Sequence, residues 1–163
     1  MQWRRRHHAR CGLLPALALS LLASTASAGT VDVVDATGTR IAHVDASRWC
    51  IVWNHSVAGF EVSDCYELRD DQMVLSRSHQ PDFAAGLGHI AGRGTQRSDG
   101  AGGYWIEGID EVVPGNCYRL RVGSAFVDHR IVAGDTTISL SALAAGESVA
   151  IRAGTATKGK RTC

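Results

Sequence analysis

The composition is that of an ordinary globular protein. The chain has 163 residues, 45% of them hydrophobic and 20% charged, and its 17 basic and 16 acidic residues give a formal net charge of +1. This length suits one domain with its own core better than two. Because the charge is nearly balanced, neither nucleic acid nor an anionic membrane is indicated as a partner.

The N-terminal residues have the pattern of a secretory signal peptide. Four arginines lie between Trp3 and Arg10, an apolar run follows from Leu13 to Ala23, and small residues close the segment at Ala26-Ser27-Ala28. This order is typical of a leader that is cleaved during export. A membrane-spanning helix needs roughly 20 apolar residues, about twice this run. We therefore expect residues 1–28 to be removed, no membrane insertion afterwards, and a periplasmic or secreted, net acidic protein.

Residues 29–163 are predicted to form a single all-β domain. Short runs rich in Val, Ile and aromatic residues recur, separated by Gly, Asn and Asp. Such half-apolar strands are buried in a small sandwich or a partly closed barrel. A short helical turn is expected at Ser141 to Ala145. The predicted strands are Val31 to Val34, Arg40 to Val44, Trp49 to His55, Val62 to Leu68, Met73 to Arg77, Tyr104 to Ile106, Tyr118 to Val122, Phe126 to Val132, Thr136 to Leu140 and Ser148 to Arg152.

Four cysteines remain after the leader. This is an even number, and the compartment to which an exported protein is delivered allows disulfides to form. If the strands on either side of Val57-Ala58 form a hairpin, Cys50 and Cys65 fall opposite each other on one face. Four cysteines permit three pairings, among which sequence alone does not choose. The hairpin favours the one in which Cys117 pairs with Cys163. A structural zinc site is the alternative, but none of these cysteines has the close spacing that such sites use.

A glycine-rich segment from Gly86 to Gly103 interrupts the strands, and we predict a long loop there. It lacks the strand and helix that a nucleotide-binding glycine motif requires. Its backbone N–H groups beside Arg93 and Arg97 could cradle a carboxylate. A mobile, solvated loop without a ligand is the alternative.

An ordered set of short motifs resembles domain-of-unknown-function family 1850. It begins at Trp53, just before His55-Ser56-Val57, and ends with the closing strands. The set comprises Trp53, His55-Ser56-Val57, Asp64, Tyr66, Asp82-Phe83, Gly86, Gly103-Tyr104-Trp105-Ile106, Leu120-Arg121-Val122-Gly123, His129, Leu140-Ser141, Gly146 and Val149. The resemblance implies an exported accessory protein of a tripartite solute transporter, which would contact a transporter component or its small anionic, carboxylate-type solute. The chain departs from the family pattern with Asp64 in place of a common Glu, with Glu61 in place of a common Pro, and with Leu87-Gly88 in place of Met-Pro.

The candidate ligand-binding residues surround His55. A neutral imidazole at a strand end can donate from one nitrogen and accept with the other, which would join a ligand to Asp64, Asp82 or His129. The alternative is a histidine that satisfies backbone groups at the rim of the core. The full candidate set is His55, Ser56, Asp64, Tyr66, Asp82, Phe83, Gly86 and His129.

The preferred interpretation is a non-catalytic binding or accessory module without a cofactor. A secreted hydrolase centred on His55 is one alternative, but adjacent strand residues such as His55 and Ser56 point to opposite faces and cannot form a nucleophile-base pair. A metal-dependent enzyme is another, with His55, His89 and His129 as ligands together with Asp64 or Asp82. No two histidines of the chain have the spacing of a known metal motif. A purely structural interaction domain is the third.

Overall fold

A computed structural model describes residues 29–81, 90–155 and 163. The predicted leader, with its cleavage site, lies outside this range. The described residues form two antiparallel sheets that pack face to face. The smaller sheet has the strand order β2-β1-β11-β8. Its strands are β1 (Gly29–Val34), β2 (Arg40–Asp45), β8 (Cys117–Arg121) and β11 (Ser148–Thr155).

The larger sheet has the order β10-β9-β3-β4-β5-β7-β6, and every neighbouring pair of its strands is antiparallel. Neither sheet closes on itself, so the fold is an open sandwich and not a barrel. The strands are β3 (Arg48–Asn54), β4 (Glu61–Arg69), β5 (Gln72–Gln80), β6 (Thr95–Ser98), β7 (Tyr104–Val112), β9 (Arg130–Ala133) and β10 (Thr136–Ser139). A 3₁₀ turn spans Pro114–Asn116, and one short helix, α1, spans Leu140–Ala144.

The core lies between the two inner faces. Alternation places Val149, Ile151 and Ala153 of β11 inward, and these side chains are buried as their period of two predicts. Apolar side chains from both sheets complete the cluster: Val31, Val33, Val44, Trp49, Ile51, Met73, Val122, Ile131 and Leu140. The all-β sandwich prediction is therefore confirmed.

Three segments differ most from the predicted strands, and one of them is β7, which continues to Val112 although the predicted strand ends at Ile106. Phe126 to Val132 was expected to be one strand, but β9 begins at Arg130 and the residues before it form a turn in which Val127 and Asp128 both donate to the carbonyl of Ser124. The glycine-rich segment contains β6, which pairs with β7 and was missed because Thr95–Ser98 has no apolar side chain.

Both cysteine pairs are disulfides, as predicted. Cys50 and Cys65 are direct cross-strand partners on β3 and β4, with Cα atoms 4.0 Å apart. Cys117 at the start of β8 is joined to Cys163, with a Cα separation of 5.1 Å. All four sulfur atoms are used in this way, so the cysteines do not form the alternative zinc site.

Candidate functional site

His55 holds together the turn between β3 and β4. Its backbone N–H donates to the carbonyl of Phe60 (2.7 Å), and its own carbonyl accepts from Gly59 (2.8 Å). Its Nδ1 accepts from the N–H of Ala58 (3.1 Å) and lies 3.4 Å from the N–H of Val57. The ring packs against Phe60, 5.2 Å between centroids. Because Nδ1 accepts a backbone N–H of the turn, the structure agrees with the alternative interpretation, in which His55 satisfies backbone groups at the rim of the core.

His129 has a comparable role in the neighbouring loop, residues 122–129. Its Nδ1 accepts from the N–H of Gly123 (2.8 Å), and its N–H donates to Oγ of Ser141 (2.9 Å), whose hydroxyl donates to the carbonyl of Gly123 (2.9 Å). The ring stacks on Trp53 at 6.0 Å. Burial lowers the pKa of His129, which favours the neutral imidazole that this acceptor role requires.

These two segments form one end of the sandwich, together with α1. We call it the turn end and define it as residues 55–60, residues 122–129 and α1. Asn54 connects the first two, because its N–H donates to Val127 (2.7 Å) and its side-chain amide to the carbonyl of Phe126 (3.1 Å). Arg130 forms ion pairs with both Glu61 and Asp128. The loop is also tightly packed, since a Cβ at Gly123 would lie 2.5 Å from the Cβ of Val127.

The fold does not bring Asp64 to His55. Asp64 pairs across the sheet with Ile51, four residues before His55. At about 3.3 Å per residue, these positions are about 13 Å apart along the strand. The side chains therefore cannot share a hydrogen bond, and His55, Ser56 and Asp64 do not assemble into a catalytic group in this structure. Ser56 is exposed in the turn.

Asp64 instead lies on the inner face of the larger sheet, the face to which Tyr66 and Leu68 contribute core contacts. Ser78 of β5 is the cross-strand partner of Asp64, and its hydroxyl hydrogen-bonds the Asp64 carboxylate. The amide of Gln80 donates to Oγ of Ser78 (3.4 Å), and the hydroxyl of Tyr104 donates to Gln80 (2.9 Å). We call Asp64, Ser78, Gln80 and Tyr104 the inner row. Its last three members are at least nine-tenths buried.

Aromatic rings border the inner row. Tyr66 stacks on Trp49 at 5.8 Å and on Tyr118 at 5.3 Å. Burial raises the pKa of Asp64, although the hydrogen bond from Ser78 and the charge of Arg93 oppose this change. Burial and the nearby Asp64 carboxylate likewise raise the pKa of the Tyr66 hydroxyl. The inner row is thus a polar strip inside an apolar interior, a setting in which ionisation is costly.

Sequence reasoning included Asp64 and Tyr66 but missed the partners Ser78, Gln80 and Tyr104. A signal existed in β5, whose second half carries polar residues at successive positions, Ser76 to Gln80. Such a strand places polar side chains on both of its faces, so some of them must lie inside the sandwich.

The proposed carboxylate cradle is already satisfied by protein groups. Arg93 forms an ion pair with Glu111 (2.8 Å), and Arg97 forms one with Glu107 (2.7 Å). Three other candidates, Asp82, Phe83 and Gly86, lie outside the described residues, as does His89.

The outer face of the larger sheet carries a second group of polar side chains. Trp105 has the guanidinium of Arg77 4.3 Å from its ring centroid and the imidazole of His79 at 4.7 Å. Oδ2 of Asp99 lies within hydrogen-bond distance, 2.8 Å, of Nε2 of His79. A groove of about 450 Å³ runs beside Arg77 over the Cys50–Cys65 disulfide, with Glu67 and Arg48 on its walls.

Among residues 29–81, 90–155 and 163, no group of three or more His, Cys, Asp or Glu side chains is placed to hold a metal ion. No helix within the same ranges has the length and apolar character needed to cross a membrane.

Comparison with known proteins gives one match. No curated protein and no solved structure is significantly similar to the chain. The family model described as domain of unknown function (DUF1850) matches residues 50–140, which include both the turn end up to the start of α1 and the inner row. This range is more than half of the chain, and the chain therefore belongs to the DUF1850 family.

Proposed function

We propose that this chain is an exported, non-catalytic accessory module. It docks through its turn end onto the membrane component of a tripartite solute transporter. The observation that carries the docking surface is the concentration of exposed apolar side chains there. Of the five large hydrophobic side chains that are exposed in the described residues, three lie on turn-end segments: Val57 (88% exposed), Phe126 (63%) and Leu143 (51%). Exposed apolar side chains that share one end of a domain favour an interaction site there.

The surface is held in a defined conformation before any partner binds. Val57 follows His55, whose Nδ1 fixes the turn, and Phe126 is tied to β3 through Asn54. A surface that is ordered in advance loses little conformational entropy on binding. Nδ1 of His55 and Nδ1 of His129 each accept a hydrogen bond from a backbone N–H of the turn end. This structural use of both imidazoles supports a binding function over catalysis.

The charge around these side chains favours a protein partner. Glu61 and Asp128 both pair with Arg130, so this part of the rim of the turn end has one more acidic than basic side chain. An anionic lipid surface would repel such a rim. An apolar pocket with basic residues at its edge, on a membrane protein, matches both the apolar centre and the acidic rim.

Binding of the purified full chain to the transporter of the same organism, reconstituted in nanodiscs, tests the proposal. We expect Phe126→Ser to weaken binding roughly tenfold or more, because aromatic anchors at interface centres contribute more than about 1 kcal/mol each. Val57→Ser should weaken it less. Biolayer interferometry measures both dissociation constants.

Val112→Ser is the matched control, since Val112 is also exposed (48%) but lies where β7 pairs with the start of β5, away from the turn end. It should bind like wild type. Absence of binding by the wild-type chain, or equal weakening by Val57→Ser and Val112→Ser, would contradict the proposal.

A further inference from the structure

A pocket on the outer face of the smaller sheet is not used by the proposed docking function. It measures about 210 Å³, and its lining includes Asp35, Arg119, Ser148, Arg152 and Cys163. Val149 and Ile151 point into the core, so the alternate residues of β11, including Arg152, point outward. Arg119 on β8 pairs with Ala150 and shares this outer face. The pocket therefore has an arginine from each of two neighbouring strands.

Neither arginine has a carboxylate partner in the described part of the chain. In contrast, most arginines on strands of the larger sheet form ion pairs with described residues, for example Arg69, Arg97 and Arg130. Asp32, which is the cross-strand partner of Arg152 on β1, interacts instead with His43 (2.7 Å) and Arg40 (3.2 Å). Two guanidinium groups at one pocket thus remain available to an external anion.

Arg152 adds an independent sign of a missing partner. Its Nε is buried and makes no hydrogen bond with any residue in the described ranges. A buried donor without an acceptor is destabilising, and more so when the group is charged. Native structures rarely leave such a group without an acceptor, which comes from water, a ligand or an ion.

The one acidic side chain in the pocket lining is already engaged. Oδ1 of Asp35 accepts from the N–H groups of Thr37 and Thr39, both at 2.9 Å, and from the Thr37 hydroxyl at 2.7 Å. These hydrogen bonds, that of the Thr37 hydroxyl above all, lower the pKa of Asp35. They fix the carboxylate in the turn after β1, where it reduces the positive charge of the pocket without pairing with either arginine.

We propose that this pocket binds a small oxyanion, a carboxylate or a phosphate, between Arg119 and Arg152. Planar guanidinium groups bind such oxygens in pairs of parallel hydrogen bonds. The pocket volume corresponds to about seven water molecules at about 30 Å³ each, which limits the ligand to a few carbon atoms. The bound anion would supply the acceptor that Nε of Arg152 lacks.

Isothermal titration calorimetry of the full chain with succinate and with inorganic phosphate, against sodium chloride of equal ionic strength, tests this site. We expect a dissociation constant on the order of 0.1 mM for at least one oxyanion, with affinity falling as salt rises. Arg119→Gln and Arg152→Gln should each weaken binding roughly tenfold or more. The relative affinities of the two ligands then assign the site to carboxylates or to phosphates.

Arg121→Gln is the control, because Arg121 is an exposed arginine on the same strand, has no ion pair with a described residue, and does not line the pocket. It should change affinity less than about threefold, the effect of a general loss of positive charge. Arg119 is exposed, so its variant stays folded even if Arg152→Gln does not.

Melting temperatures separate a ligand-binding role of Arg152 from a structural one. Because Arg152→Gln removes the buried Nε that lacks an acceptor, the melting temperature of the ligand-free protein should stay equal or rise, while the rise caused by the oxyanion is lost. No binding of either oxyanion by the wild type, unchanged binding by Arg119→Gln, or equal losses in all three variants would overturn the proposal.

Discussion

At the turn end the polar side chains bond to backbone groups, whereas in the inner row they bond mainly to one another. His55 and His129 each accept an N–H bond from a nearby loop. Asp64 accepts from the side chain of Ser78, which continues to Gln80 and Tyr104. The inner row begins on β4, the strand that directly follows the turn at residues 55–60, so the difference arises from position: a turn has backbone groups to satisfy, whereas backbone groups inside the sandwich are already paired in the sheet.

This difference changes which residues of the family pattern carry unusual chemistry. The His-Ser pair, which attracts attention in the sequence, has a conventional turn geometry. The chemically unusual group is Asp64, a carboxylate on the core face beside Tyr66. A perturbed carboxylate is a candidate functional group, but a structural polar network perturbs pKa values as well. The stability and pH dependence of Asp64→Asn separate a functional carboxylate from a structural one.

The largest effect is expected at Tyr66. Tyr66→Ala removes a ring that stacks on both Trp49 and Tyr118 and should lower the free energy of unfolding by about 3–4 kcal/mol. Tyr66→Phe keeps the ring and should cost less than about 1 kcal/mol. Urea denaturation measures both. If the two variants were equally unstable, the hydroxyl and not the stacking would hold the inner row together.

A smaller loss is expected at the turn end. His55→Ala removes the acceptor for the N–H of Ala58 and should destabilise the protein by about 1–2 kcal/mol. His55→Asn should recover part of this loss, since an Asn side chain can accept from backbone N–H groups in a turn. Ser56→Ala, at an exposed neighbour, should be neutral. Full stability of His55→Ala would show that the turn does not depend on the imidazole, and would reopen a ligand-binding role for His55.

The strands were predictable because alternation is a local property of the sequence. The same is true of the Cys50–Cys65 disulfide, since a hairpin that turns near Val57 fixes which residues are opposite. The loop before β9 was not predictable in this way. Phe126 to His129 is rich in residues that favour strands, yet Asp128 has φ of 50° and the tight packing of Gly123 against Val127 directs the chain into a turn.

The inner row depends on a feature that no local pattern reveals. Strand β5 contains an irregularity at Ser76, which has no partner on β4 between the pairs Tyr66–Leu75 and Cys65–Arg77. This extra residue brings Ser78 opposite Asp64. In a regular ladder, Arg77 would face Asp64 instead. The sequence could therefore indicate Asp64 as a candidate but could not identify its partners.

The smallest effect, and the most direct test of the comparison, is the response to pH. Burial raises the pKa of Asp64 above its usual value, so the folded state holds this proton more tightly than the unfolded chain. The resulting stability is fully present below the ordinary carboxyl pKa and is lost as the pH rises through the folded value. Asp64→Asn should consequently be more stable than wild type at pH 7, by on the order of 1 kcal/mol, and equal to it near pH 3.

His129 must respond in the opposite direction. Burial lowers its pKa below the usual 6.5, so the stability that it contributes is present above that pH and is lost as the pH falls through the folded value. His129→Gln should remove this loss without changing the behaviour of Asp64. Urea denaturation of wild type and both variants at several pH values between about 3 and 8 separates the two slopes. If Asp64→Asn were instead less stable than wild type at pH 7, the Asp64 carboxylate would be ionised and stabilised by a partner, as expected for a charged ligand-binding group and not for a buried structural one.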